Sequence, residues 1–141
     1  MTERGTYKNA NRGRQLLRFD GIRYGNITPT DDDVTIEYKD RIWVKGEIKM
    51  VGVDVPLGQR LMLERFVNDT SKAGKHSIAI IGEHNVKDTM QDVYLKKDVT
   101  VREFYSTETH KWRPPTHKMS FVQMSDTYIS LFGDKNTDCS I

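Results

Sequence analysis

The chain has 141 residues, 36% hydrophobic and 30% charged, with a net charge of +2 and one cysteine. Such a chain is expected to form one soluble globular domain with a real core, leaving no room for a second. It lacks a run of about 18 apolar residues to span a membrane, and Cys139 has no second cysteine for a disulfide or a zinc site.

The opening MTERGTYKNANRGR has no apolar leader segment, so a cytoplasmic protein is expected. A charge of +2 announces no nucleic-acid partner by itself, but its distribution says more. Arg4, Lys8, Arg12, Arg14, Arg18 and Arg23 face only Glu3 and Asp20 in the first 23 residues, and Lys111, Arg113 and Lys118 gather beside Trp112. Clusters of this kind supply the electrostatic share of DNA binding. Arg12, Arg14, Arg18, Arg23, Lys111 and Arg113 are therefore the expected nucleic-acid contacts, against the plainer reading of solvated basic surface.

Residues 1–15 are polar and punctuated by glycine, which predicts a flexible basic arm. A single domain is expected over 16–133, with 134–141 a disordered polar tail. Leu16 to Phe19 reads as the end of a short helix or as a first strand, and Asp20-Gly21 as a turn. Pro29 holds Thr28 extended and delays pairing until after it.

From Asp31 to Met50 the pattern has a period of two. Val34, Ile36, Tyr38, Ile42, Val44, Ile48 and Met50 form one face; Asp31, Asp33, Thr35, Glu37, Lys45, Glu47 and Lys49 form the other, broken by Trp43. This predicts two strands with a reversal at Lys39-Asp40-Arg41. A three-residue loop keeps the two apolar faces together and pairs 38 with 42. Asp33 then lies opposite Glu47, and Asp31 opposite Lys49. Directly opposed carboxylates, about 5 Å apart at Cβ, destabilise a sheet unless a cation lies between them. Mg²⁺ suits hard oxygen ligands, and a lysine two residues along the same face would orient a water or help to deprotonate it.

Gly52 to Pro56 reads as a connection and Gly58 to Ala73 as a helix, with Leu63, Phe66, Val67 and Thr70 on one side and Arg60, Glu64, Asn68 and Lys72 on the other. Gly74 is its expected C′ residue. Gln59 falls on the buried stripe, either satisfied by backbone or turned towards a site. The run Ser77–Ile81 lacks alternation, as expected of a strand covered on both faces and parallel to 41–50 through a βαβ crossover. It ends at Glu83-His84-Asn85, on the carboxyl edge where open α/β sheets bind ligands. His84 and Asn85 are accessory candidates there, against the plainer role of His84 as a strand cap. Met90 to Leu95 is ambiguous, and Val99 to Tyr105 reads as a strand towards the sheet edge. Lys111 to Lys118, with Pro114-Pro115, is a loop. Ser120 and Gln123 have capping-box spacing, Met119 and Met124 fit a hydrophobic staple, and Phe121, Met124, Tyr128 and Leu131 form a stripe closed by Gly133.

Taken together, an aspartate, a spacer and Glu47-Ile48-Lys49 on the next strand resemble the PD-(D/E)xK nuclease superfamily. Pro29-Thr30-Asp31-Asp32-Asp33 leads in, and Gly58-Gln59-Arg60-Leu61 stands where the family's following helix begins. The resemblance runs from about Asn26 to Asn85, and looks like small phage or Holliday-junction-resolvase-like members. It implies a restriction-endonuclease-like α/β core, a small mixed sheet flanked by helices, and a Mg²⁺-dependent DNA endonuclease, with Mn²⁺ able to substitute. Asp33 and Glu47 would hold the metal, with Lys49 beside the water and Gln59 assisting. Asp31 would hold a second ion or, following its proline as in the family name, replace Asp33 as the primary ligand. The N-terminal helix that often contributes a glutamate in the family is not evident. The alternative is a catalytically inactive module of the same fold that binds nucleic acid or protein. Cutting both strands of a symmetric junction would require a homodimer.

Overall fold

A computed structural model describes residues 15–133. By internal contact the chain divides into two units, Met1–Asp31 and Asp32–Ile141.

In the first unit, Tyr24 and Ile27 exchange backbone hydrogen bonds of 2.8 and 3.0 Å around Gly25, whose φ of 66° suits glycine. No helix or strand forms from Leu16 to Phe19. Leu16 and Leu17 are 81% and 80% exposed, so no apolar burial rewards the ordering of an element there.

The second unit is a four-stranded mixed sheet with helices, an α/β fold as the sequence predicts. Its strands are β1 (Val34–Tyr38), β2 (Ile42–Met50), β3 (His76–His84) and β4 (Thr100–Ser106), and its helices α1 (Leu57–Lys72), α2 (Leu95–Asp98) and α3 (Phe121–Phe132). The sheet order is β1-β2-β3-β4, antiparallel, parallel and antiparallel in turn. The period-two segment forms the hairpin in the expected register, with Tyr38 paired to Ile42 and Val34 to Gly46. Its turn puts Lys39 and Asp40 at φ 51° and 60°, a conformation disfavoured for lysine. Lys75 Nζ steadies it by donating to Asp40 O at 2.7 Å and Asp40 Oδ1 at 2.6 Å.

Helix α1 ends in a Schellman motif: Lys75 N–H donates to Thr70 O and Gly74 N–H to Ser71 O, with Gly74 at φ 88°. The expected capping box of α3 is present, with Gln123 N–H donating to Ser120 Oγ and Ser120 N–H to Gln123 Oε1. Its stripe differs at the last position. Leu131 is 58% exposed, and Phe132 packs on the core instead, because three residues from Ile129 complete the inward side of the final turn better than two. Gly133 ends the helix in right-handed geometry, where an added Cβ would meet Ile129 O at 2.5 Å.

Two cores lie on opposite faces of the sheet. Ile42, Val44, Ile78, Ile80 and Val101 meet Phe121, Met124 and Tyr128 of α3. Ala79, Ile81 and Tyr105 meet Val55 and, from α1, Leu63 and Val67. The Phe121 ring sits so close that a Cβ on Gly46 would lie 2.7 Å from it. No described helix is long and apolar enough to cross a membrane.

Candidate active site

The alternating hairpin gives β2 a charged face, and α1 covers it. Lys45 and Glu47 are consequently buried, at 7% and 5% exposure. One step beyond the Val34–Gly46 pair, the register sets Asp33 opposite Glu47, as the odd-loop argument predicts. Ile48 N–H donates to Asp33 Oδ2 at 2.8 Å, tying Asp33 to the end of β2. Burial, followed by the Asp33 charge, pushes the Glu47 carboxyl up to about 7, although Lys49 pulls it down. Lys49 Nζ lies 3.7 Å from Glu47 Oε2.

Helix α1 brings Gln59 to the same face. Farther along the helix, Phe66 stands edge-on to Trp43 with ring centroids 5.4 Å apart, and Lys45 Nζ lies 5.0 Å from the Phe66 ring centre. At the far end Thr70 bonds Ser77 at the start of β3, so α1 runs antiparallel to β2 and β3. Gln59 precedes Phe66 by two turns, roughly 10 Å. Glu47 and Lys49 follow Lys45 by roughly 7 and 13 Å, which brings Gln59 level with them. Gln59 Oε1 is buried and has no hydrogen-bond partner among the described residues. A buried amide oxygen left unpaired costs free energy that a ligand would recover.

Several interactions around this site do not follow from the sequence pattern. Lys45 Nζ donates to Asp32 Oδ2 at 2.6 Å and to Thr35 Oγ1 at 3.2 Å, anchoring the strand that carries Asp33. The alternation places Lys45 on the face of Glu47 but does not reveal that a helix covers it. In β4 the register shifts opposite Ile81 and Gly82, so that Ile81 pairs with Glu103 but Gly82 with Val101. This bulge frees Arg102 from the alternation. Its Nε donates to Glu83 Oε1 at 2.7 Å and its Nη1 to Val53 O at 2.8 Å, clamping the loop between β2 and α1.

His84 is not gathered here. Strand parity turns His84 towards the α3 face, away from Glu47, and its Nδ1 accepts from Val86 N–H at 3.0 Å. That local bond suits the plainer reading of a strand cap. Asn85 is exposed beyond β3. Asp31 is an exposed residue of the first unit. In that unit Arg18 pairs with Asp20 at 3.0 Å and Arg23 donates to Gly25 O at 2.9 Å. Arg113 lies over the Phe104 ring, 5.2 Å from its centre, while Lys111 is exposed. Arg12 and Arg14 lie outside the described residues, as does the 134–141 tail.

Among the described residues no three His, Cys, Asp or Glu side chains form a closed metal cage. An open site is the better comparison for Mg²⁺, which keeps several waters and takes only one or two carboxylates. Asp33, Glu47 and the unpaired Gln59 oxygen suit that chemistry. Comparison with family models, curated proteins and solved structures found no match.

Proposed function

We propose that the protein is a Mg²⁺-dependent DNA endonuclease of the PD-(D/E)xK kind, with its centre at Asp33, Glu47, Lys49 and Gln59. The observation that carries this reading is Glu47, a buried carboxylate raised to about 7 and set against a second carboxylate by the hairpin register. A sheet selected only for stability has no use for such a pair. Perturbed carboxylates at the carboxyl ends of strands mark functional sites.

Asp33 and Glu47 would hold the ion, with Gln59 Oε1 available to it directly or through water. Bound there, Mg²⁺ supplies stabilisation of the charge that develops on the phosphate and acidifies water. The protein's own groups perform the remaining tasks. With its pKa raised to about 7, the Glu47 carboxyl holds its proton more tightly than a free glutamate, and would release it to solvent on holding the ion. The Lys49 ammonium, held near Glu47, donates hydrogen bonds to the attacking water or to a non-bridging phosphate oxygen and fixes its direction of approach. Lys45 and Arg102 keep the two edges of the site in place. The exposed basic residues support contact with the DNA backbone.

The test is incubation of purified protein with labelled linear, nicked and four-way DNA, with Mg²⁺ and with chelator. Cleavage that depends on the ion supports the reading, and the preferred substrate defines its specificity. Binding without cleavage in Mg²⁺ or Mn²⁺ would replace it with the inactive binding module.

A further inference from the structure

The polar stripe of α1, Arg60, Glu64, Asn68 and Lys72, reads from the sequence as a solvated face. The structure places much of it against β4 and the segment that follows. Arg60 Nη2 donates to Glu103 Oε2 at 2.7 Å and its guanidinium lies 4.8 Å from the Trp112 ring centre. Glu64 accepts from Trp112 Nε1 at 2.7 Å. Asn68 Oδ1 accepts from Tyr105 Oη at 2.9 Å and bonds His110 Nδ1 at 2.8 Å. Lys72 makes no ion pair among the described residues, and it lines an open pocket of about 530 Å³ with Asn68, Ser71, Tyr105 and His110.

The hydrogen bonds determine what this pocket offers. An amide oxygen only accepts, so His110 Nδ1 must carry a proton, and Nε2 is the nitrogen left for a ligand. The same two bonds orient the Asn68 carbonyl, leaving its NH₂ as a donor. His110 is held at φ 50°, an unusual conformation for a non-glycine residue. A full positive charge, an amide donor, and an imidazole that donates when protonated suit an oxyanion. No carboxylate lines the pocket.

We propose that this pocket is a phosphate subsite that holds the backbone of the nucleic-acid substrate at a distance from the carboxylate pair. Asn68 and Lys72 follow Gln59 by nine and thirteen residues, roughly 14 and 20 Å along the helix. In B-form DNA that span covers about four to six base-pair steps. The proposal rests on nucleic acid being the substrate, and it makes Lys72 a binding residue outside the cleavage centre.

The test measures affinity for a labelled duplex by fluorescence anisotropy over a range of salt concentrations in chelator, beside cleavage of the same duplex in Mg²⁺. Lys72→Gln should weaken binding severalfold and lower the slope of log K against log salt by about 0.9. Lys72→Arg should restore the slope. His110→Gln should weaken binding while melting with the wild type. If the wild type cuts DNA but Lys72→Gln keeps the wild-type slope, the subsite is overturned and the nuclease reading stands. If the wild type binds without cutting and the slope still falls in Lys72→Gln, the nuclease reading fails and the subsite stands. A wild-type protein that binds no DNA overturns both.

Discussion

Glu47 sits in a position of conflict: buried by α1, opposite Asp33, and compensated only in part by Lys49. With the folded pKa raised from 4.5 to about 7, the folded state binds this proton more tightly than the unfolded chain does. The associated stability is present below about pH 4.5, falls as pH rises, and is lost above about pH 7, amounting to about 3 kcal/mol. Glu47→Gln should therefore raise the metal-free melting temperature near pH 8 and flatten its dependence on pH between roughly 5 and 8. A mutant with the wild-type pH dependence would show that another group is responsible. Glu47→Gln and Asp33→Asn should both abolish ion-dependent cleavage, because the register sets the two carboxylates against each other. Asp31→Asn should lose less activity and recover part of it at high Mg²⁺. The reverse order in a cleavage assay would identify Pro29-Thr30-Asp31 as the working motif. The opposition of Asp33 and Glu47 was legible because a period of two and an odd loop fix both register and face. The Lys45–Asp32 pair was not, since alternation identifies a face without saying what covers it.

At the scale of elements, Gly46 lets β2 pack closely against α3. A methyl group there would lie 2.7 Å from the Phe121 ring and 3.1 Å from Val34 Cβ. Gly46→Ala should destabilise the domain by about 1 to 3 kcal/mol through overpacking, read as a lower denaturant midpoint with an unchanged slope. Full stability would mean that Phe121 swings aside freely. The hairpin, the βαβ crossover and the capped α3 could all be read from local signals: turn length, helical period, an unalternating apolar run and a capping box. The bulge at Arg102 could not. It inserts one residue into β4, and nothing in the local run Thr100–Ser106 marks where the register shifts. For the same reason the polar stripe of α1 reads as solvated, because spacing on a helix does not reveal that Tyr105, His110 and Trp112 come to meet it.

For the whole molecule, the charged face of the hairpin is the feature from which the functional reading follows. The sheet buries Lys45, Glu47 and part of Lys49 under a helix, and the Gln59 oxygen has no partner among the described residues, which is the basis for proposing a bound ion there. The basic N-terminal residues belong to the same account. Removing residues 1–15 should lower the salt slope of DNA binding by about 0.9 for each phosphate that the arm neutralises and leave the melting temperature of the domain unchanged. An unchanged slope would mean that the arm does not touch DNA. The most direct measurement of the central claim is a calorimetric titration of Mg²⁺ into the metal-free protein in buffers of different ionisation enthalpy. Binding should release close to one proton near pH 6 and little near pH 8, as the Glu47 proton is displaced, and should disappear in Glu47→Gln and Asp33→Asn. Absence of binding in the wild type, or equal binding in those two variants, would contradict the account.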